Sequence, residues 1–434
     1  MNSLVCRVDV MPTKQNMRSK CILVLGGSPR EVIDGVRHYA NRGRDQSHGA
    51  RTANALVALG ATVTFITVKS SSARLSYSGR IIDTVDGLKI ASAKDLLAAC
   101  ALQSSEAYDA VVQLASIASI VPAQPSDHKL KVKGHASELV SLEVVGNVDV
   151  ATSIRSLFPG TRVVGYDNRQ QWFGGGDDAL EQTIREVADG CAIPEPSRQI
   201  SHLIQSGVPE NKTLKGRKAI VTSGPTAEPI TASGDVITNF SSGRQGHAVA
   251  EGLALLGAEV VLVSGPTSLC APAHEKVRTI NVSSAEDMYQ AVIAELPADV
   301  FVGVAAVADF TMQNTLERSP EEAEALTLQL RQNPDILRTV GTHASLRPSV
   351  VVGFAAETHD VLEYARDKLN RKGADFICAN QVGNAMASRS SGVNAITFVM
   401  PSGHEELPEV PKLEAGKMIA AKIAQLLTQK TSST

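Results

Sequence analysis

The sequence predicts an α/β protein of two domains, each a doubly wound, mostly parallel sheet with helices on both faces. Three observations lead to this prediction. Short apolar runs that fit buried strands alternate with amphipathic helical segments. The same pattern occurs twice along the chain, in the same order. In its second occurrence, a loop rich in glycine and serine separates a strand from a helix, as in doubly wound folds that bind phosphates.

The domain boundaries follow from composition. We expect the first domain at residues 20–190 and the second at residues 218–428. Residues 191–217 are rich in proline, serine and lysine and show little periodicity, which is typical of a linker. A chain of 434 residues is long enough for two such domains, each with a sizeable core.

The first domain repeats the order of segments found in the second, which indicates an internal duplication. The matched segments, in chain order, are 21–27 with 219–225, Asn41 with Asn239, 56–63 with 253–260, 109–112 with 299–302, and 163–166 with 351–354. Two unrelated Rossmann-like domains would share a strand–glycine–helix rhythm, and this is the alternative explanation. The common order and approximate spacing over some 145 residues favour duplication.

The glycine-rich loop of the second domain is the most informative motif in the chain. Residues 220–226 (Ile-Val-Thr-Ser-Gly-Pro-Thr) fit a strand that stops in a tight turn. Residues 239–246 (Asn-Phe-Ser-Ser-Gly-Arg-Gln-Gly) open a helix at 248–256. The backbone N–H groups of such a loop, together with the positive end of a helix, form a cradle for a polyphosphate. Asn239, in front of the loop, offers both an amide donor and an acceptor to an uncharged group such as an acyl carbonyl.

Composition excludes several classes of protein. The net charge is −3 and basic residues are scattered, so no nucleic-acid-binding surface is indicated. Six cysteines lie far apart with no CxxC pair, which is typical of free thiols in a reducing compartment. No apolar run approaches the ~20 residues of a membrane span, and residues 1–19 lack the pattern of a signal peptide. We therefore expect a cytoplasmic protein that binds neither membrane nor nucleic acid.

From about residue 218 to residue 427, the motifs resemble phosphopantothenoylcysteine synthetase, the ligase of coenzyme A biosynthesis. Besides the loop, the matching segments are 305–310 (Ala-Ala-Val-Ala-Asp-Phe), 333–336 (Asn-Pro-Asp-Ile), 351–358 (Val-Val-Gly-Phe-Ala-Ala-Glu-Thr), Lys368, Lys372, 377–380 (Ile-Cys-Ala-Asn) and Lys412. The resemblance implies that the protein joins 4′-phosphopantothenate to L-cysteine through an acyl-nucleotide. It also implies Mg²⁺ and either CTP or ATP, with CTP favoured by the segment Gly-Phe-Ala-Ala-Glu-Thr.

The resemblance also implies roles for individual residues. Asn239 would hold the acyl-nucleotide carbonyl, and Asp309 would line the acyl pocket and the ribose or metal side of the site. The residues expected to bind the nucleotide are Gly224, Thr226, Ser241, Ser242, Gly243, Gly246, Ala306, Phe354, Lys368, Lys372 and Asn380. Phe354 is equally compatible with core packing, and Lys368 with a surface helix charge. No cluster of protein metal ligands is evident, so we expect Mg²⁺ on the phosphates, with Asp309 as a candidate contact.

Members of the resembled family are homodimers in which one subunit helps to cover the site of the other, so a fused tandem implies an intramolecular pseudo-dimer. The two copies have lost complementary parts of the family pattern. The first copy has Arg37 in an Ile-Asp-x-Val-Arg segment, where the second has Asp235. The second copy has Asp309, where the first has Ser119.

The expected lid shows the same division. In the family, a flexible segment with a lysine follows the Ala-Asp motif and folds over the nucleotide. Residues 311–325 contain four glutamates and no lysine, whereas residues 127–133 of the first copy contain Lys129, Lys131 and Lys133. Our hypothesis is one composite site, with the nucleotide floor from the second copy and Arg37 and Lys129 from the first. The alternative is that the first copy only stabilises the fold.

Three other functions are compatible with parts of the sequence. An inactive scaffold or regulatory subunit would explain Asp235 and the acidic segment 311–325. A bifunctional decarboxylase–synthetase would need a flavoprotein with a Pro-x-Met-Asn motif, but residues 20–190 contain no methionine. We therefore expect no flavin, and a decarboxylase on a separate polypeptide. A nicotinamide dehydrogenase is disfavoured because no G-x-G-x-x-G follows either first strand.

Overall fold

The computed structural model describes most of the chain. The described residues are 17–34, 36–41, 48–68, 79–85, 88–126, 140–168, 171–174, 179–190, 213–267, 269–357, 359–381 and 393–431. We call residues 17–190 the first half and residues 213–431 the second half. Of the predicted linker, only residues 213–217 are among the described residues. Within the described ranges, no helix is long and apolar enough to cross a membrane.

The first half alternates strands and helices. Its elements are β1 (Cys21–Gly26), β2 (Glu31–Val32), β3 (Arg37–Asn41), α1 (His48–Ala58), β4 (Thr62–Thr67), β5 (Gly79–Ile82), β6 (Thr84–Val85), β7 (Leu88–Lys89), α2 (Ala93–Ala101), β8 (Ala110–Gln113), β9 (Ile120–Pro122), β10 (Val140–Gly146), α3 (Val150–Leu157), β11 (Arg162–Tyr166), β12 (Trp172–Phe173) and α4 (Ala179–Gly190).

The second half follows the same order and is longer. Its elements are β13 (Lys218–Ser223), β14 (Ala227–Pro229), β15 (Asp235–Asn239), α5 (Arg244–Leu255), β16 (Glu259–Ser264), β17 (Val277–Asn281), α6 (Ala285–Ala294), β18 (Val300–Gly303), β19 (Phe310–Met312), β20 (Ala325–Gln332), α7 (Ile336–Gly341), β21 (Val350–Glu357), α8 (Val361–Lys372), β22 (Phe376–Gln381), β23 (Val393–Asn394), β24 (Thr397–Met400), β25 (Gly403–Glu406), β26 (Val410–Pro411) and α9 (Lys412–Thr431).

Each half has its own main sheet. The strand order is β12-β11-β8-β1-β4-β5 in the first half and β17-β16-β13-β18-β21-β22-β24-β25 in the second. Strands β11 to β5 in the first order, and β17 to β22 in the second, are all parallel. The chain winds outward in both directions from β1 and from β13. The prediction of two doubly wound parallel sheets is therefore confirmed.

Helices cover both faces of these sheets because successive strand residues point to opposite faces. In β1, Ile22 and Val24 pack in the cluster that contains residues of α1 and α4, whereas Leu23 and Leu25 pack with α2 and α3. In the second half, α5 and α9 share one core cluster with β13, and α6 and α7 share another. Each such buried aliphatic side chain contributes roughly 1.5–3 kcal/mol of hydrophobic stabilisation.

The register between the halves differs slightly from the sequence alignment. Strand β1 begins at Cys21 and β13 at Lys218, an offset of 197, whereas aligning Gly26 with Gly224 gives 198. The offset becomes 198 only at β3 and β15, because the turn between β14 and β15 is one residue longer than the turn between β2 and β3. The residue that corresponds to Gly224 is therefore Gly27, and both have positive φ.

Two further sheets combine strands from both halves. Their orders are β14-β15-β3-β2 and β19-β20-β10-β9. Strand β3 pairs antiparallel with β15, and β10 pairs antiparallel with β20. Tyr39 and Ile237 from the first sheet pack with Val144 and Leu328 from the second in one core cluster. The two halves are thus joined by backbone hydrogen bonds and by a shared apolar core.

A buried glutamate is repeated in the two halves. Glu31 accepts a hydrogen bond from the N–H of Ala93 (2.9 Å) at the start of α2, and Glu228 accepts one from the N–H of Ala285 (2.9 Å) at the start of α6. Each helix also begins with a serine–aspartate capping box. This repetition of contacts is what an internal duplication predicts.

These two glutamates predict a pH dependence of stability. Burial raises the pKa of both carboxyls above 4.5, and hydrogen bonds to the carboxylates only partly oppose the shift. The folded state therefore holds these protons more tightly than the unfolded state. The resulting stabilisation is fully present below the unfolded pKa and is lost as the pH rises through the folded pKa. Glu228→Gln, which is neutral at every pH, should flatten the dependence of the unfolding free energy on pH; urea titrations of both proteins between about pH 4 and 8 test this. An unchanged slope would contradict it.

Candidate active site

The candidate site lies at the switch point of the second-half sheet. Strands β13 and β18 are neighbours from which the chain winds in opposite directions, so their carboxyl ends border the crevice where doubly wound sheets bind ligands. Gly224 turns the chain after β13 with φ of +73°, a conformation that glycine adopts without steric cost. Its carbonyl accepts a hydrogen bond from the N–H of Ala306 (2.9 Å). This bond ties the turn to the segment that follows β18.

The glycine-rich loop lies directly beside this turn. Gly243 is the N-cap of α5 with φ of +75°, and as a glycine it makes no side-chain cap hydrogen bond. Gly246 packs so closely on Ser223 that a Cβ atom would lie 2.6 Å from the Ser223 Cβ. Ser241 and Ser242 are exposed. The loop can therefore offer two hydroxyls and the amino end of a helix to an anionic ligand.

Asn239 is held in a defined orientation at the end of β15. Its Nδ2 donates to the carbonyl of Val307 (2.9 Å) and to that of Ala306 (3.3 Å). These two carbonyls settle which atom is nitrogen, since an amide oxygen in that place would meet two acceptors. Its Oδ1 is buried and has no hydrogen-bond partner among the described residues. The amide thus presents an acceptor, whereas contact with an acyl carbonyl, as implied by the resemblance, would need a donor.

Arg37, from the first half, reaches into this crevice. Its guanidinium donates to Asp34 Oδ2 (3.0 Å) and to Asp309 Oδ2 (2.5 Å), and it lies 5.5 Å from the centre of the Phe310 ring. Arg37 and Asp34 are buried, whereas 45% of the Asp309 side chain is exposed. The antiparallel pairing of β3 with β15 places Arg37 opposite Asn239. The structure therefore brings together Arg37, Asn239 and Asp309 from the two halves.

Thr226 holds in place the 306–308 segment that borders the crevice. It is fully buried, and its hydroxyl accepts a hydrogen bond from the N–H of Ala308 (2.9 Å). Its own N–H donates to the carbonyl of Ala306, which is partly exposed. The geometry therefore gives Thr226 the task of fixing the 306–308 segment, and Ala306 is better placed for contact with a ligand.

The remaining predicted residues form a second group on β21, β22 and α8. Lys368 Nζ donates to the carbonyl of Phe354 (2.6 Å), and the Phe354 side chain is partly buried against the main core. Lys372 forms an ion pair with Asp335, the N-cap residue of α7. Asn380 lies beside Ala356 at the carboxyl ends of paired strands β21 and β22. Both lysines are thus engaged by protein acceptors.

Two residues beside the loop were missed by sequence reasoning. The ring of His38 stacks on Phe240, with centroids 4.2 Å apart, and the guanidinium carbon of Arg30 lies 5.4 Å from the Phe240 centroid. Both residues belong to the first half and cover the second residue of the 239–246 motif. The signal that could have found them is the pairing of β3 with β15, and periodicity does not reveal which strands pair across halves.

The two segments predicted as lids are residues 311–325 and residues 127–133. Residues 311–325 contain an Arg318–Glu324 ion pair (2.7 Å), and Gly146 at the end of β10 exchanges backbone hydrogen bonds with Ala323 and Glu324. The acidic segment is therefore tied to the first half. Lys129, Lys131 and Lys133 lie outside the described residues, so their predicted role stays a prediction.

The fold and the crevice define a class of protein: a doubly wound α/β protein whose phosphate-type loop and polar site are completed by residues of a second, related half. The chain belongs to the family described as "DNA/pantothenate metabolism flavoprotein C-terminal domain", whose model matches residues 17–172 and 214–427. The two matched ranges fall in the two halves. The family resemblance drawn from the motifs is thereby confirmed.

The chain is also similar to several curated proteins. The chain is 39% identical over 256 residues to the coenzyme A biosynthesis bifunctional protein CoaBC of Vibrio vulnificus (strain YJ016), covering 58% of this chain and 62% of that protein. The proteins of the same name from Bacillus subtilis and Escherichia coli K12 are 39% and 35% identical, over 50% and 59% of this chain. The matches cover 53% and 63% of those two proteins. The chain thus spans between half and two thirds of the length of these relatives.

Solved structures give a weaker likeness. The C-terminal domain of CoaBC is 38% identical with a TM-score of 0.42, over 50% of this chain and 99% of that one. A mutant of Cab2 in complex with phosphopantothenate-cysteine is 17% identical with a TM-score of 0.41, over 50% of this chain and 89% of that one.

Proposed function

We propose that this protein is a phosphopantothenate–cysteine ligase, which forms the amide bond between 4′-phosphopantothenate and L-cysteine. The observation that carries the proposal is the meeting of Arg37, Asn239 and Asp309 beside the exposed serines of the glycine-rich loop. Membership of the family and the name of the relatives, which refers to coenzyme A biosynthesis, support it.

The reaction consists of two displacements. A carboxylate oxygen of phosphopantothenate attacks the α-phosphorus of a nucleoside triphosphate, and pyrophosphate leaves. The amine nitrogen of cysteine then attacks the acyl carbon, the bond to the nucleoside monophosphate breaks, and the amine loses a proton. Neither step needs a covalent bond to the protein, so positioning and charge neutralisation are sufficient.

The described residues suit these tasks. The loop at Ser241 and Ser242, with the start of α5, would hold phosphate oxygens, and Arg37 would neutralise charge on the reacting carboxylate. Asn239 Oδ1 is an acceptor, so it would accept a hydrogen bond from the cysteine amine or from the amide N–H of phosphopantothenate. This assignment replaces the contact with the acyl carbonyl.

Mg²⁺ fits this site as a companion of the nucleotide phosphates. Among the described residues, no group of three or more His, Cys, Asp or Glu side chains could hold a metal ion by itself. The half-exposed carboxylate of Asp309 is the candidate protein contact. When bound, Mg²⁺ neutralises phosphate charge. We propose CTP rather than ATP as the co-substrate, on the Gly-Phe-Ala-Ala-Glu-Thr sequence at residues 353–358.

We also infer that the two halves are arranged as the two subunits of a dimer. Each of the two sheets that combine strands from both halves takes two strands from each half. In the β3–β15 pair, Arg37 lies opposite Asn239 and Asn41 opposite Asp235. Because Arg37 is equivalent to Asp235 and Asn41 to Asn239, the second contact repeats the first with the two halves exchanged. Such an exchange is expected of an isologous contact about a two-fold axis.

The proposal is tested by assaying the purified protein with phosphopantothenate, L-cysteine, Mg²⁺ and either CTP or ATP. Pyrophosphate release and product mass are the readouts. A cysteine-dependent amide product is expected, and the preferred nucleotide settles the base. Nucleotide binding without product in either reaction would contradict the ligase and favour an inactive scaffold, the function that the acidic segment 311–325 supports.

The composite site predicts an effect of the first-half lysines. Replacing Lys129 and Lys131 together by alanine should lower turnover by more than about tenfold, because a lid over a triphosphate needs positive charge. The matched control replaces Lys276 and Lys422, whose ammonium groups pair with surface glutamates elsewhere. Unchanged kinetics in the first variant would rule out the lysine lid.

The proposed function also places the protein in a pathway. We propose that the product passes to a decarboxylase on a separate polypeptide, and that this chain binds no flavin, since residues 20–190 contain no Pro-x-Met-Asn motif. We propose a cytoplasmic location from the spacing of the cysteines and the scattered charges.

A further inference from the structure

The two halves differ in residue type at two equivalent positions. Strands β3 and β15 place Asp235 where the first half has Arg37. Ser119 occupies the place of Asp309, since the carbonyl of Ser119 accepts from Asn147 N–H as that of Asp309 accepts from Asn333 N–H. The pair Arg37–Asp309 at one location thus corresponds to the pair Asp235–Ser119 at the other. Both pairs are in contact.

Asp235 is saturated with hydrogen bonds. Its Oδ1 accepts from Asn41 Nδ2 (3.0 Å) and from the N–H of Ser119 (3.1 Å). Its Oδ2 accepts from the hydroxyls of Ser119 and Thr231, the latter at 3.0 Å. The side chain is fully buried. With each oxygen accepting two bonds, this carboxylate has no capacity left for a ligand.

The network joins the halves at one end of β3. Asn41 is the last residue of β3, and its Nδ2 also donates to the carbonyl of Ser233 (3.3 Å) in the second half. Arg37 is the first residue of the same strand, about 13 Å away along an extended chain. An anchor at Asn41 therefore limits the movement of β3 along and across β15, and with it the place of Arg37.

We propose that Asp235 is a positioning residue, which fixes the Asn41 end of β3 so that Arg37 meets Asp309 in the proposed ligase site. The inference rests on the proposed function. It gives a role to an aspartate that the sequence alone marks as damage to an arginine motif. In a symmetric dimer, an arginine at position 235 would belong to a second site. In this chain, Asp235 instead joins the two halves and supports the site that contains Arg37.

Two measurements test this role. Hydrogen exchange of the β3 amides in Asp235→Ala and Asp235→Asn should be faster than in the wild type, whether or not the protein ligates. A kinetic cycle with Arg37→Ala then asks whether Asp235 acts through Arg37. Asp235→Ala should lower kcat/KM for phosphopantothenate about tenfold in the wild type and less than about twofold in the Arg37→Ala background.

The control is Asp299→Asn. Asp299 also accepts a backbone and a side-chain hydrogen bond, from the N–H of Lys218 (2.8 Å) and from Arg217 (2.9 Å), but it lies at the start of the second-half sheet. It should change neither exchange at β3 nor the kinetic effect of Arg37→Ala. If Asp235→Ala does not fold, Ser119→Ala removes one hydroxyl from the same network and should shift both readouts in the same direction.

The outcomes separate this proposal from the ligase. A wild type that makes no amide contradicts the proposed function, and the exchange of β3 still decides whether Asp235 holds the strand. Unchanged exchange in the Asp235 variants would overturn the positioning role. So would kinetic effects of Asp235→Ala and Arg37→Ala that multiply, because a residue that acts through Arg37 has nothing left to position once the arginine is absent.

Discussion

Replacing Arg37 by alanine is expected to lower kcat/KM for phosphopantothenate by about 100-fold, or about 3 kcal/mol of transition-state stabilisation. The guanidinium is buried between Asp34 (3.0 Å) and Asp309 (2.5 Å), and it brings a positive charge from the first half to the crevice. Without it, the carboxylate of the substrate would approach two uncompensated negative charges. Steady-state kinetics with phosphopantothenate as the varied substrate measure the effect.

Two further variants separate the effect of losing the charge at position 37 from an effect on folding. Arg37→Lys keeps the charge but cannot hold both carboxylates with a planar fork, so an intermediate loss is expected. Arg80→Ala removes an exposed arginine of the first half whose ion pair with Glu106 is solvent-screened, and it should leave kinetics unchanged. If a folded Arg37→Ala protein ligates at the wild-type rate, the two halves do not share a site.

Much of the fold could be predicted from the sequence because strand and helix periodicities are local. The apolar runs that begin each half became β1 and β13, and both sheets are doubly wound as expected. The loop 239–246 could be placed between a strand and a helix for the same reason. In this loop Gly243 has a positive φ and Gly246 packs closely against Ser223. Both constraints favour glycine, so the sequence marks these two positions directly.

The pairing of strands between the halves could not be predicted. Nothing in the residues of β3 and β10 tells that their partners are β15 and β20, which lie about 180–200 positions further along the chain. The meaning of Asp235 depends on that pairing. In the sequence it is an arginine position that has lost its positive charge, whereas in the structure it accepts four hydrogen bonds from three other residues.

The contacts of individual side chains also could not be predicted from the sequence. Thr226, Lys368 and Lys372 match nucleotide-binding positions by resemblance, yet Thr226 is fully buried and both lysines contact protein acceptors. Their roles toward a ligand stay predictions. Which atoms a motif residue leaves available depends on neighbours that only the folded chain supplies.

Replacing Asn239 by alanine is expected to reduce amide formation by about 100-fold while nucleotide affinity changes by only a few fold. The carbonyls of Ala306 and Val307 would lose the hydrogen bond from Asn239 Nδ2, although that of Ala306 would keep the one from Thr226 N–H, and the crevice would lose the buried Oδ1 acceptor. The loop that would hold the phosphates remains intact. Activation of the carboxylate should therefore continue better than the attack of the amine, so the ratio of pyrophosphate released to amide formed should rise well above one.

That ratio distinguishes a role in amine attack from a general loss of structure. Asn147→Ala also removes a buried amide, one that donates to the carbonyl of Ala118 (2.9 Å) and to Glu31 (3.2 Å), and it should cost stability while pyrophosphate and amide stay equal. Equal amounts of pyrophosphate and amide in Asn239→Ala would mean that Asn239 acts before the acyl-nucleotide forms. The acceptor would then serve the amide N–H of phosphopantothenate rather than the amine of cysteine, because of these two molecules only phosphopantothenate reacts in the activation step.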